Sequence, residues 1–132
     1  MLEENKIVDQ AQQVMENLSQ KGHMVTTSQI RKFLTAVNTV TEKVNAYKLE
    51  KTDDYDTLPV ELQAQIKYLK VKLAYQIGRN RSKWGNPVED FEKEARLMSL
   101  IDGIKSSTKE YEKFAHYIEA LVAFHKFYGG KD

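Results

Sequence analysis

The chain has 132 residues, enough for one domain with one ordinary core, and it contains no cysteine, so disulfides and cysteine-ligated zinc are excluded. No apolar run approaches the ~20 residues of a membrane span, and the opening MLEENKIVDQ is too acidic and polar for a secretory signal; the expectation is a cytoplasmic protein with no membrane partner. The net charge is only +1, yet 30% of residues are charged, two are proline and apolar positions recur at helical spacing, which predicts an all-α fold.

Residues 3–20 predict a first helix with Ile7, Val14, Met15 and Leu18 as its apolar side. That stripe is thin, so the helix is expected to be short or loosely docked, ending at Lys21-Gly22. Thr26-Thr27-Ser28-Gln29 has capping-box spacing and opens a second helix to about residue 49, with Ile30, Phe33, Leu34, Val37, Val40, Val44 and Tyr47 on one face. Its β-branched residues lower intrinsic helix propensity, so tertiary packing must hold it. Residues 50–57 break the pattern and read as a loop. Asp53, Asp54 and Asp56 lack the glycine and distal glutamate of a calcium loop, so they read as solvated acids.

Residues 58–83 predict a third helix, with Leu62, Ile66, Leu69, Leu73 and Ile77 as its buried stripe and Pro59 in the first turn. It ends near Gly78, or else continues to Lys83 and aligns Lys72, Gln76, Arg79 and Lys83 as one polar stripe. Asn86-Pro87-Val88-Glu89 opens a fourth helix whose inner side is Val88, Phe91, Ala95, Met98, Ile101 and Ile104. Ser107-Thr108-Lys109-Glu110 is a second capping box, starting a fifth helix to about Tyr128. One side of it carries Tyr111, Phe114, Ala115, Ile118, Leu121, Val122 and His125; another carries Tyr117, Ala120, Phe124 and Phe127. A helix apolar on two sides is central to a bundle or partly an interface. The whole reads as a single bundle of about five helices.

Charge is the main functional clue. Residues 57–83 hold six cations (Lys67, Lys70, Lys72, Arg79, Arg81, Lys83) against one acid, Glu61, which is +5 and leaves −4 for the rest of a chain that sums to +1. A solvated helix face is the plain explanation, and the negative C-terminal end of the helix favours Arg79, Arg81 and Lys83. Paired acids are absent from this helix, however, so i,i+4 bridges do not account for the lysines. Arg31 and Lys32 stand in the first turn of the second helix, where the dipole disfavours cations. Together these point to a polyanion, with the helix start around Thr27, Ser28 and Arg31 suited to a phosphate. His116 and His125 lie on opposite faces of one helix, so they do not share a metal, and His125 reads as a satisfied core histidine. No catalytic motif, metal cluster or cofactor loop is visible. The aromatics Tyr68, Tyr75, Trp84, Tyr117, Phe124, Phe127 and Tyr128 read mostly as core, with some available for stacking on bases.

Three stretches, TTSQIRKFL from Thr26, YLKVKLAYQIGRNR from Tyr68 and YIEALVAFHKFYGGKD from Tyr117, resemble the small subunit of type III-A CRISPR interference complexes, the second Csm protein. With their intervening helices they span residues 26–132; residues 1–25 stand apart as a variable N-terminal helix. The resemblance implies a non-enzymatic subunit without cofactors. It implies that copies stack on one another along a guide RNA, beside backbone and large subunits, and line the channel holding crRNA and target RNA through phosphate contacts. By motif position, Arg31, Lys32, Lys70, Lys72, Arg79 and Arg81 are the implied RNA contacts, with Lys67 and Lys83 flanking them. Guide pairing supplies sequence specificity, so backbone contacts suffice. Two rival readings stand beside this one: a helix-turn-helix DNA-binding regulator, and a protein-interaction bundle acting through Phe124 and Phe127.

Overall fold

The computed structural model describes residues 2–50 and 55–132, so Asp53 and Asp54 lie outside the described residues. Among the described residues the fold is all-helical: a 3-10 turn (Glu4–Lys6), then α1 (Ile7–Ser19), α2 (Thr27–Glu50), α3 (Val60–Arg79), α4 (Pro87–Ala95), α5 (Leu97–Ile104) and α6 (Thr108–Phe127).

The helix starts follow their capping residues. Thr26 N–H donates to Gln29 Oε1 at 2.9 Å while Gln29 N–H donates to Thr26 Oγ1 at 3.2 Å, the reciprocal pair that the second-helix box requires. Glu110 N–H donates to Ser107 Oγ at 3.1 Å and opens α6. Asn86 serves two helices at once: its Oδ1 accepts from Glu89 N–H at 3.1 Å, capping α4, and its Nδ2 donates to the Ile77 carbonyl at 2.8 Å, satisfying the end of α3.

Three expectations about elements need correction. The predicted fourth helix is two helices, broken at Arg96, which adopts a left-handed backbone (φ 58°, ψ 40°). The break changes the phase of the stripe: Val88, Phe91 and Ala95 are buried, and then Leu97, Ile101 and Ile104, with Met98 only half-buried. In one continuous helix Leu97 would stand on the far side from Ala95. The third helix ends at Arg79, so Gly78 lies inside it, Pro59 is its N-cap rather than in its first turn, and Arg81 and Lys83 belong to the turn beyond. The stripe of Lys72, Gln76, Arg79 and Lys83 therefore does not exist, and Gln76 is buried besides. The first helix is not loosely docked: Ile7, Ala11, Val14, Met15 and Leu18 are all buried, and α1 packs chiefly on α6.

α6 is the centre of the bundle, touching α1, α5 and α2, which explains its two apolar sides. Tyr111, Phe114, Tyr117, Ile118 and Leu121 are buried, whereas Phe127 is exposed at its end. His125 is buried with Nε2 at 2.6 Å from the Val25 carbonyl, the satisfied core histidine expected, and His116 is exposed. α2 packs on α3. Lys43 donates to Gln65 and Tyr47 to the Thr57 carbonyl, so the two helices run antiparallel. α5 lies on the other side of α3.

Candidate nucleic-acid interface

Two helices position the cations, and the structure divides them by flank. On α3 the inward residues Leu62, Ile66, Leu69, Leu73 and Ile77 fix the rotation of the helix. At 100° per residue, Tyr68, Lys72, Tyr75 and Arg79 then fall on the flank toward α2, and Lys67 and Lys70 on the flank toward α5. The first four are exposed.

On the α5 side the charge is partly offset. Lys70 Nζ is 2.8 Å and Lys67 Nζ 3.3 Å from the same Asp102 carboxylate oxygen. The hydrogen bond from Lys70, and then that from Lys67, holds the Asp102 carboxyl below the usual carboxylate range. Beyond the helix, Arg81 reaches Glu89 at 3.9 Å. Lys83 instead stands 5.0 Å from the ring centroid of Trp84 in the exposed turn.

On the α2 side the picture differs. Arg31 and Lys32 at the start of α2 join Lys72 and Tyr68 of α3 along one groove, which Thr35, Ala36, Thr39, Val40, Ala64, Gln65 and Leu69 complete. Lys72 Nζ is 5.7 Å from the Tyr68 ring centroid. Among the described residues no ion pair involves Arg31, Lys32, Lys72 or Arg79. Asp132 lies in the vicinity of Arg31, and its carboxyl is held below its usual range first by a hydrogen bond from Lys126 and to a smaller extent by Arg31. Of the eight predicted residues, then, three line the groove, Arg79 extends its flank, two are tied to Asp102, and two lie in the following turn.

The start of α2 does not offer free N–H groups to a phosphate. Thr27 N–H donates to the Lys131 carbonyl at 3.0 Å and Ser28 N–H to the backbone oxygen of Asp132 at 2.8 Å. Arg31 and Lys32 are the fifth and sixth residues of α2, so they stand in its second turn rather than the first, without the helix-end donors expected beside them. Of the seven rings expected mostly in the core, Tyr68, Tyr75, Trp84 and Phe127 are exposed, whereas Tyr117 is core and Phe124 and Tyr128 are half-buried. The signal was available for Tyr68 and Tyr75, seven residues apart and off the Leu69–Leu73 stripe. Among the described residues no group of acids, histidines or cysteines is placed to hold a metal ion, and no helix is long and apolar enough to cross a membrane.

The Csm2 Type III-A family model matches residues 2–131. The chain belongs to that family. Its Csm2 relatives agree: CRISPR system Cms protein Csm2 of Streptococcus thermophilus is 31% identical over all of this chain and 98% of its own length. The Enterococcus italicus protein of the same name is 32% identical over 93% of this chain and 84% of its own. The Mycobacterium tuberculosis protein is 36% identical over 58% of this chain and 57% of its own. The Csm2 match begins at residue 2, so it takes in α1, which the three resembling stretches leave out.

Proposed function

We propose that the chain is the non-catalytic small subunit of a type III-A CRISPR RNA-guided complex, and that it holds RNA by its backbone. Arg31, Lys32, Lys72 and Arg79 are the principal contacts; Arg81 and Lys83 sit in the turn that prolongs the flank. Lys67 and Lys70 contribute less, because they share the Asp102 carboxylate, which cancels one of their two charges. The observation that carries the reading is a set of exposed cations, without ion-paired acids, on two helices locked together by packing. Lysine and arginine on rigid elements meet phosphates without reading sequence, which suits a subunit whose specificity comes from guide pairing. Its partners are crRNA and target RNA, the backbone and large subunits, and further copies of itself. The packing of α1 on α6 and α4 gives no helix pair for a helix-turn-helix reading of α2.

Ultraviolet cross-linking of an assembled complex loaded with guide and target, followed by peptide mapping, tests this. RNA adducts are expected on the peptides containing Arg31–Lys32 and Tyr68–Arg79. Adducts confined to α5, α6 or other subunits would overturn it.

A further inference from the structure

Phosphate contact leaves part of the groove unexplained. Its walls are largely apolar, with Ala36 and Val40 from α2 and Ala64 and Leu69 from α3 beside Thr35, Thr39 and Gln65, and its volume is about 750 Å³. That lies within the ~300–1,000 Å³ of sites that hold organic ligands. A phosphate needs donors rather than an apolar wall. Tyr68 lines the groove yet stays 57% exposed, and Tyr75, two turns on along the same flank, is 61% exposed. Arg31, Lys32 and Lys72 stand among the lining residues, which include no carboxylate. A largely apolar groove with a ring and a set of cations matches the two halves of a nucleotide: the base stacks, and its phosphates meet the charges.

Resting on the RNA-binding reading above, we infer that the α2/α3 groove holds an unpaired base of single-stranded RNA against Tyr68, with the flanking phosphates on Lys72 and on Arg31 or Lys32. The subunit then distinguishes single-stranded from fully paired RNA, which phosphate contacts alone do not do. Lys72 now lies 5.7 Å from the Tyr68 ring centroid, a solvent-exposed cation–π contact that it exchanges for a phosphate when the base arrives.

Three RNAs of equal phosphate number test the inference: a single-stranded oligoadenylate, an abasic ribose–phosphate oligomer and a fully paired duplex. Each is titrated against the full chain as wild type, Tyr68→Ala, Tyr68→Phe and Lys72→Gln, with melting curves to show that each variant folds. Tyr68→Ala is expected to weaken oligoadenylate binding about tenfold and to leave the abasic oligomer and duplex unchanged. Tyr68→Phe keeps the ring and should bind as wild type. Lys72→Gln should weaken all three. Loss of abasic and oligoadenylate binding in equal measure, or no effect of Tyr68→Ala, overturns the inference. If Lys72→Gln still weakens binding in that case, the RNA-binding reading survives alone; if neither variant matters, both fall. Should Tyr68→Ala spare RNA binding but loosen the subunit from an assembled complex, the groove seats a protein segment instead, and the inference is again overturned.

Discussion

Tyr111 and Tyr117 are nearly sealed inside the bundle, and each directs its hydroxyl to a backbone carbonyl: Tyr111 donates to Val37 at 3.1 Å and Tyr117 to Ala95 at 3.0 Å. Burial pushes both phenols up to about 12. The folded chain therefore keeps protons that the unfolded chain releases above about pH 10. Stability contributed this way is whole below pH 10 and is lost as pH rises toward 12, by about 2–3 kcal/mol per tyrosine. Denaturant melts at pH 8 and pH 11 should show about half of that decline, roughly 1.4 kcal/mol per tyrosine, and Tyr111→Phe should show it reduced, after a loss of about 1 kcal/mol at pH 8 from the missing hydrogen bond. An identical decline in variant and wild type would contradict the assignment. At this scale the sequence was partly legible. A histidine on an apolar helix face reads as core, and His125 is core. Gly129-Gly130 reads as a helix stop, but nothing local says why the second glycine is needed. A Cβ at Gly130 would lie 2.3 Å from the His125 ring, because the turn at Gly129 (φ 85°) brings Gly130 N–H back to the His125 carbonyl at 2.7 Å.

Elements were legible where a short-range signal sets them. The Thr26, Asn86 and Ser107 side chains each accept from the N–H three residues on, but only the Thr26 box is reciprocal: Ser107 N–H donates to the Ile104 carbonyl, and the Glu110 carboxylate accepts from Lys113 instead. The break at Arg96 was not, because Met98 continues the stripe of Val88, Phe91 and Ala95 at helical spacing, so an unbroken helix reads equally well until Leu97 is seen to be buried. The choice is made by the neighbours of α5, which are out of reach of a local reading. Glu92 helps to hold the break, its carboxylate accepting from Met98 N–H at 3.3 Å. A non-glycine residue in the left-handed region costs roughly 1–2 kcal/mol, part of which glycine returns as chain entropy. Arg96→Gly is accordingly expected to raise stability by about 0.5–1 kcal/mol, read from the denaturant midpoint at constant slope. A clear loss of stability would mean that the exposed Arg96 side chain contributes more than its backbone strains.

At the scale of the whole molecule, a linear count of cations on α3 becomes two unlike flanks. The sequence shows that Lys67, Lys70, Lys72 and Arg79 share a helix, and its periodicity gives their angles. It does not show that Asp102, thirty-two positions after Lys70, comes up beside one flank and leaves the other open. Nor does it show the groove, which exists only because α2 lies against α3. Segment charge is thus a good guide to a polyanion partner and a poor guide to which side chains meet it. Lys67/Lys70→Glu and Lys72/Arg79→Glu change the net charge equally, on one helix, at opposite flanks. The decisive measurement is the salt dependence of RNA binding for these two double variants and the wild type. If the α2-facing flank carries the phosphates, Lys72/Arg79→Glu lowers the log–log salt slope by about 1.4–1.8, at 0.7–0.9 for each phosphate no longer neutralised, while Lys67/Lys70→Glu lowers it far less. Equal slopes for the two variants, or the larger drop from Lys67/Lys70→Glu, would contradict the account.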